Sequence, residues 1–187
     1  MITLVIGGTR SGKSQIAEQI AEQIAERGAG RDRVVTVLVP AVATDPDFPD
    51  LDFLARIAAH RARRPSAWST VEYGADLLSA LRAIEGPALI DSLGSWLAST
   101  AEFAVDVDEL ITVLRARHQP TVVVSEEVGL SVHPMTEAGR HFIDMLGALN
   151  AAVAAAADAV WLVVAGRVVL LDAFDGGLQA MPRVPDA

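Results

Sequence analysis

The chain has 187 residues, 51% of them hydrophobic and 21% charged, with a net charge of −9. That length suits one α/β domain with a full core, and the composition excludes a disordered chain. The absence of cysteine excludes disulfides, thiolate catalysis and cysteine-ligated metals, and the acidic excess argues against a nucleic-acid groove. No apolar run reaches membrane-spanning length; Ala151–Ala157 is short and Asp158 closes it. Because a functional strand opens the chain, no signal peptide is expected, and a cytoplasmic location follows.

Ile2–Ser14 reads as a buried strand, a glycine-rich turn and a helix start. Gly7, Gly12, Lys13 and Ser14 fill the pattern G-x-x-x-x-G-K-[ST] of the phosphate-binding loop. Gly7, Gly8, Thr9, Arg10, Ser11 and Gly12 wrap a phosphate with backbone N–H groups, and the helix beginning near Lys13 adds its positive end. Lys13 is expected on the β- and γ-phosphates, and the Ser14 hydroxyl on Mg²⁺. Ile16, Ala17, Ile20, Ala21 and Ile24 follow at helical spacing, which the motif requires. An ordinary glycine turn is the competing reading. The helix runs from about Lys13 to Arg27 and ends at Gly28.

Val34–Val39 is a second buried strand, closed by Pro40, and Ala41–Asp50 is a loop of functional length. Leu51–Ala62 returns to helical spacing. Arg56, Arg61, Arg63 and Arg64 then surround His60, four of fifteen basic residues within nine positions of an acidic chain. Arg56 and His60 share a helix face. Like charge favours the neutral imidazole that a nucleophile towards phosphorus must be, and arginines neutralise transferring phosphates. A solvated basic helix end is the competing account.

Tyr73–Ile84 is expected to form a helix. Ala88–Asp91 is a short strand ending in an acid, where P-loop enzymes hold magnesium, so Asp91 joins Ser14 as a metal candidate. The alternative makes Asp91 a helix cap or turn residue. Val105–His118 is an amphipathic helix, and Thr121–Ser125 a strand with Glu126 and Glu127 at its tip. Glu137–Ala157 is a long helix, and Ala159–Val164 with Arg167–Leu171 forms a hairpin. The expected fold is α/β: a P-loop NTPase-type, mostly parallel sheet flanked by helices, with an antiparallel C-terminal hairpin. Residues 1–172 form the domain and 173–187 a loose tail.

The motif order resembles the bifunctional adenosylcobinamide kinase/adenosylcobinamide-phosphate guanylyltransferases of cobalamin biosynthesis. Gly7-Gly-Thr-Arg-Ser-Gly-Lys-Ser14 is similar to that family's Gly-Gly-Ala-Arg-Ser-Gly-Lys-Ser. Arg56-Ile-x-x-His60 with Arg64-Pro65-x-x-Trp68-x-Thr70-x-Glu72 resembles its histidine segment, and Val124-Ser-x-Glu127-Val-Gly129 its Val-Ser/Thr-Asn-Glu-Val-Gly. Arg140, Phe142, Asp144, Gly147, Asn150 and Asp158 continue the likeness, which spans Ile2 to about Leu171.

The resemblance implies two reactions. A nucleoside triphosphate, ATP or GTP, phosphorylates the aminopropanol hydroxyl of adenosylcobinamide; GTP then guanylylates a histidine, His60 by position, and GMP passes to the cobinamide phosphate. It further implies nucleotide contacts from Arg56, Arg61, Arg64, Glu72, Asp91 and Glu127, with Lys13 and His60 catalytic, and a homotrimer. The partners implied are a corrinoid and a nucleoside triphosphate. This chain departs from the family at Glu126 (family Asn), at Ser131-Val-His133-Pro134 (family Gly-Ile-Val-Pro) and at Leu38–Phe53. Drift is therefore expected in the corrinoid-facing loops, either in acceptor specificity or in one of the two activities. Enzymes keeping a single activity, or acting on another small alcohol, stand as alternatives. A nucleotide-binding switch is the non-enzyme reading, and it has no use for His60 amid arginines.

Overall fold

The computed structural model describes residues 1–28, 34–40, 51–74, 76–130, 132 and 134–173, with side chains described at all of these except 51–54, 56 and 57. The loop expected at Ala41–Asp50, His133, the tail from 174 onwards and the Arg56 side chain therefore lie outside what is described.

In chain order the elements are β1 (Ile2–Gly7), α1 (Lys13–Arg27), β2 (Thr36–Val39), α2 (Leu51–Arg63), β3 (Ser69–Glu72), α3 (Leu77–Ala83), β4 (Ala88–Asp91), α4 (Leu93–Ala98), α5 (Val107–Ala116), β5 (Thr121–Glu126), α6 (Glu137–Ala156), β6 (Ala159–Val164) and β7 (Arg167–Leu170). They build one seven-stranded sheet in the order β3-β2-β4-β5-β1-β6-β7. Every pairing is parallel except β6 with β7. The expected mostly parallel sheet with an antiparallel hairpin is what the chain forms. Among the described residues no helix is long and apolar enough to cross a membrane.

Parallel strands are covered on both faces, so the central ones are continuous apolar runs, and alternate side chains enter opposite cores. Leu4, Ile6, Leu38, Ile90 and Val123 pack with leucines of α3, α4, α5 and α6. Val5, Val37, Leu89, Val122 and Val124 face Ala17, Ala21 and Ala25 of α1. Those alanines let α1 lie close on the sheet, which keeps the loop before it pinned to the end of β1. Each fully buried leucine contributes about 1.5–3 kcal/mol of transfer free energy.

A half-buried arginine ties the lower end of the fold together. Arg117 donates to the carbonyls of Leu81 and Ile84 at 2.8 Å, to that of Gly86 at 2.6 Å and to Thr121 Oγ1 at 2.9 Å. It so collects carbonyls at and just beyond the end of α3, where helix bonding runs out. Burial pushes its guanidinium below the usual value.

Three local expectations are corrected. The helix expected over Tyr73–Ile84 begins only at Leu77, where Asp76 accepts from the Ser79 amide as the cap. Tyr73 instead prolongs β3, its N–H donating to the Val39 carbonyl at 3.1 Å. β3 itself escaped the sequence reading because Ser69-Thr-Val-Glu72 is a four-residue, exposed edge strand with no periodicity to betray it. The stretch after Asp91 is a helix, α4, capped by the Ser92 side chain on the Ser95 amide, so Asp91 is not the cap.

Candidate nucleotide site

The site forms at the carboxyl ends of β1, β5 and β4, which lie side by side with Gly7 opposite Glu126 and Asp91 opposite Val124. Open α/β sheets bind ligands at this edge. The loop after β1 turns through a Ser11 amide to Gly8 carbonyl bond of 3.2 Å, and Gly12 adopts φ +96, which a side chain would strain. No side chain caps α1, so its first amides keep their capacity for an anion. The turn of the β6–β7 hairpin braces the loop from outside, with the Gly166 amide donating to the Ser11 carbonyl at 2.8 Å. Thr9 and Arg10 lie on the exposed rim of the loop.

Asp91 is the hub. Its Oδ1 accepts from the Ser14 hydroxyl at 3.3 Å, while its Oδ2 faces His60 Nδ1 at 3.3 Å and accepts from Arg64 at 3.0 Å. Burial alone would raise its carboxyl; the hydrogen bond and charge of His60, the Arg64 guanidinium and the Ser14 hydroxyl outweigh that and hold it below the usual carboxylate range. A carboxylate only accepts, so Nδ1 is the nitrogen that donates to Asp91, and in the neutral ring Nε2 is the one that carries the lone pair. His60 is about one-third exposed and thus reachable.

Arg61, Arg63 and Arg64, the arginines near His60 whose side chains are described, are each matched by an acid. Arg64, buried to 6% exposure, lies between Asp91 and Glu18, and Arg63 binds Glu18 at 3.1 Å. Arg61 pairs with Glu72 at 2.7 Å on the exposed edge of the sheet, away from Asp91. The arginines expected beside His60 are thus, where described, held in an ion-pair network with Glu18, Asp91 and Glu72. Glu18, His60 and Asp91 bring ligand-type atoms within 4.8 Å of one another, but guanidinium groups already bind both carboxylates.

Of the two acids at the tip of β5, Glu126 faces the loop lysine: Lys13 Nζ lies 3.6 Å from its carboxylate and 3.4 Å from the Gly8 carbonyl. Glu127, the expected nucleotide contact, turns the other way and accepts from the Gly129 amide at 2.8 Å, while its own amide donates to Gly7. Tyr73 is also buried here; burial first, then the charges of Asp91 and Glu126, push its phenol well above its ordinary value. Its hydroxyl has no hydrogen-bond partner among the described residues.

Sequence reasoning missed Glu18, Ser92 and the role of Glu126. Glu18 did leave a signal: it shares a helix face with Ala21 and Ala25, so a carboxylate sits on a small, buried stripe and needs a cation from elsewhere. Only its departure from the resembling family's asparagine sets Glu126 apart from its neighbour in the sequence.

Ser14 Oγ and Asp91 Oδ1 offer two oxygen donors at one point beside the loop, the hard donor set that suits Mg²⁺.

Comparison with known proteins points the same way. The family model described as "CobU: Cobinamide kinase / cobinamide phosphate guanyltransferase" matches residues 3–171. The bifunctional adenosylcobalamin biosynthesis protein CobP of Pseudomonas aeruginosa is 35% identical over 176 residues, covering 89% of this chain and 94% of that protein. CobU of Salmonella typhimurium is 32% identical over 188 residues, covering 89% and 97%. Among solved structures, the flagellar accessory protein FlaH of Methanocaldococcus jannaschii superposes with a TM-score of 0.49 at 13% identity, covering 89% of this chain and 74% of that one.

Proposed function

The chain belongs to the cobinamide kinase/cobinamide phosphate guanyltransferase family, and on that premise we propose that it catalyses both reactions at the site around Lys13, His60 and Asp91. It phosphorylates the aminopropanol hydroxyl of adenosylcobinamide with the γ-phosphoryl group of ATP or GTP. It then transfers GMP from GTP to the cobinamide phosphate, giving adenosylcobinamide-GDP.

The observation that carries this reading is the His60–Asp91 contact. It fixes the protonated nitrogen on the carboxylate and leaves Nε2 as the nucleophile. In the guanylyl step the Nε2 lone pair forms a bond to the α-phosphorus of GTP, and the bond from that phosphorus to the pyrophosphate oxygen breaks. The cobinamide phosphate oxygen then forms its own bond to the phosphorus, and the P–N bond breaks to return His60. Asp91, itself held in place by Arg64, keeps the ring oriented, and its carboxylate balances the positive charge the ring gains while joined to phosphorus. Lys13 and the amides of the Gly7–Ser14 loop hold the phosphates. Ser14 and Asp91 would hold Mg²⁺, which supplies charge neutralisation on the phosphates when bound. Arg61 and Glu72, paired at the edge, form the outer wall of the nucleotide site, with Arg56 nearby in sequence on α2.

The exposed apolar side chains of Val168, Val169 and Leu170 on β7 support association of copies of this chain, and a homotrimer is the assembly proposed. A cytoplasmic location suits a chain whose substrates are nucleotides and a soluble corrinoid.

The test is incubation with Mg²⁺ and GTP labelled at the α-phosphate, on wild type and His60→Ala, followed by intact mass. An acid-labile, base-stable GMP adduct on wild type and none on the variant is the expected result. No adduct on folded wild-type protein that binds GTP would overturn the guanylyl-transfer half. Transfer of γ-phosphate to adenosylcobinamide tests the kinase half separately.

A further inference from the structure

Glu126 is built into the cradle more firmly than a surface acid would be. Its carboxylate takes the Ser92 hydroxyl on both oxygens, at 2.9 and 3.1 Å. Its carbonyl is held by Asn150 Nδ2 at 2.9 Å. Gly94 of α4 lies directly against its Oε2, and any Cβ there would collide with it. The start of α4 thus fixes the carboxylate through Ser92 and Gly94, α6 fixes the backbone behind it through Asn150, and the carboxylate faces Lys13 Nζ at 3.6 Å. The positive features of the loop, the lysine and the start of α1, are arranged for an anion, and Glu126 already supplies one.

We propose that Glu126 is the resident counter-ion of Lys13 and makes the site selective for metal-loaded over metal-free nucleotide, an inference that rests on the nucleotide site proposed above. An incoming phosphate takes Lys13 from Glu126, and the freed carboxylate then stands beside the phosphates at the adjacent strand end, in register with Gly7. Two like charges at that separation repel unless a divalent cation lies between them. The Ser92 hydroxyl and the close approach of Gly94 oppose any swing of the carboxylate away from that position. A nucleotide that brings its metal is therefore accepted, and a bare one is opposed. An asparagine, the residue of the resembling family, lacks the charge to do this, so the contribution of Glu126 to the discrimination is particular to this chain.

The experiment is calorimetric titration of wild type, Glu126→Gln and Glu126→Asn with GTP, once with excess Mg²⁺ and once in EDTA. Wild type should bind the magnesium form at least about tenfold more tightly than the metal-free form, and the ratio should fall severalfold in both variants through a gain in metal-free affinity, Ser14 and Asp91 accounting for what remains. Raising the salt should shrink the wild-type ratio, because the Glu126 carboxylate is partly exposed to solvent. Either a wild-type ratio near one, or a ratio unchanged in a folded variant, overturns this inference and leaves the nucleotide site standing. If neither variant folds, Ser92→Ala, which frees the carboxylate to turn away, should lower the ratio, and an unchanged ratio there overturns the inference. Wild type that binds GTP under neither condition overturns the nucleotide reading and this inference together.

Discussion

His60 Nδ1 and Asp91 Oδ2 lie 3.3 Å apart, although 31 residues separate them in the chain. One comes from the last turn of α2 and the other from the tip of β4, and the same carboxylate reaches the Ser14 hydroxyl of the phosphate loop. A single acid so orients the nucleophile and joins it to the cradle.

Asp91→Asn should slow formation of the GMP adduct on the order of 100-fold or more, because the amide no longer enforces the proton on Nδ1 and no longer balances the ring. GTP affinity measured in parallel should change far less. An unchanged adduct rate by rapid-quench mass spectrometry would remove Asp91 from the nucleophile's orientation.

Acid should dissolve the same network. The Asp91 carboxyl is held below its usual range, so the folded state binds that proton less well than the unfolded one. Its stabilisation is complete above the unfolded value of about 3.9 and is lost as pH falls through the lower folded value. The difference in melting temperature between wild type and Asp91→Asn should stay flat from about pH 7 to 5 and shrink below about pH 4. A difference that instead vanishes on going from neutral to alkaline pH would contradict the assignment.

Glu18→Gln should destabilise the fold by about 2 kcal/mol in urea unfolding. It strips the carboxylate from Arg63 and from the almost fully buried Arg64, which keeps Asp91 as its remaining acid. Glu18→Leu leaves the same guanidinium uncompensated and should cost at least as much. A urea midpoint equal to wild type in both variants would show that the pairing is incidental.

Arg117→Lys should lower stability by about 3 kcal/mol, because an ammonium cannot span the four acceptors that the guanidinium reaches. For a chain of this size that is a fall in melting temperature of roughly 6–12 °C. The rate of adduct formation per folded molecule should be unchanged at low temperature, since Arg117 sits at the end of the sheet opposite the loop. Loss of activity without loss of stability would place Arg117 in the wrong half of the molecule.

Much of this was legible in the chain itself wherever the physics is local. The strand, glycine turn and helix of Ile2–Arg27 are contiguous, so apolar pattern, glycine placement and helical spacing specify them with no help from the rest of the fold. The same holds for the hairpin at Ala159–Leu170 and for the basic cluster about His60. Contacts between distant segments had no such signal. Neighbouring strand residues point to opposite faces, so Glu126 and Glu127 look alike in sequence, and only the seating of β5 between β4 and β1 turns the first onto Lys13. Asp91 and Ser92 divide capping and site chemistry according to where α4 begins. Glu18 meets Arg64 across 46 positions because α1 and the end of α2 pack on the same face. Sequence determined which groups the protein owns and which elements carry them; tertiary packing decided which charges meet, because pairing energy depends on separations that no local pattern records.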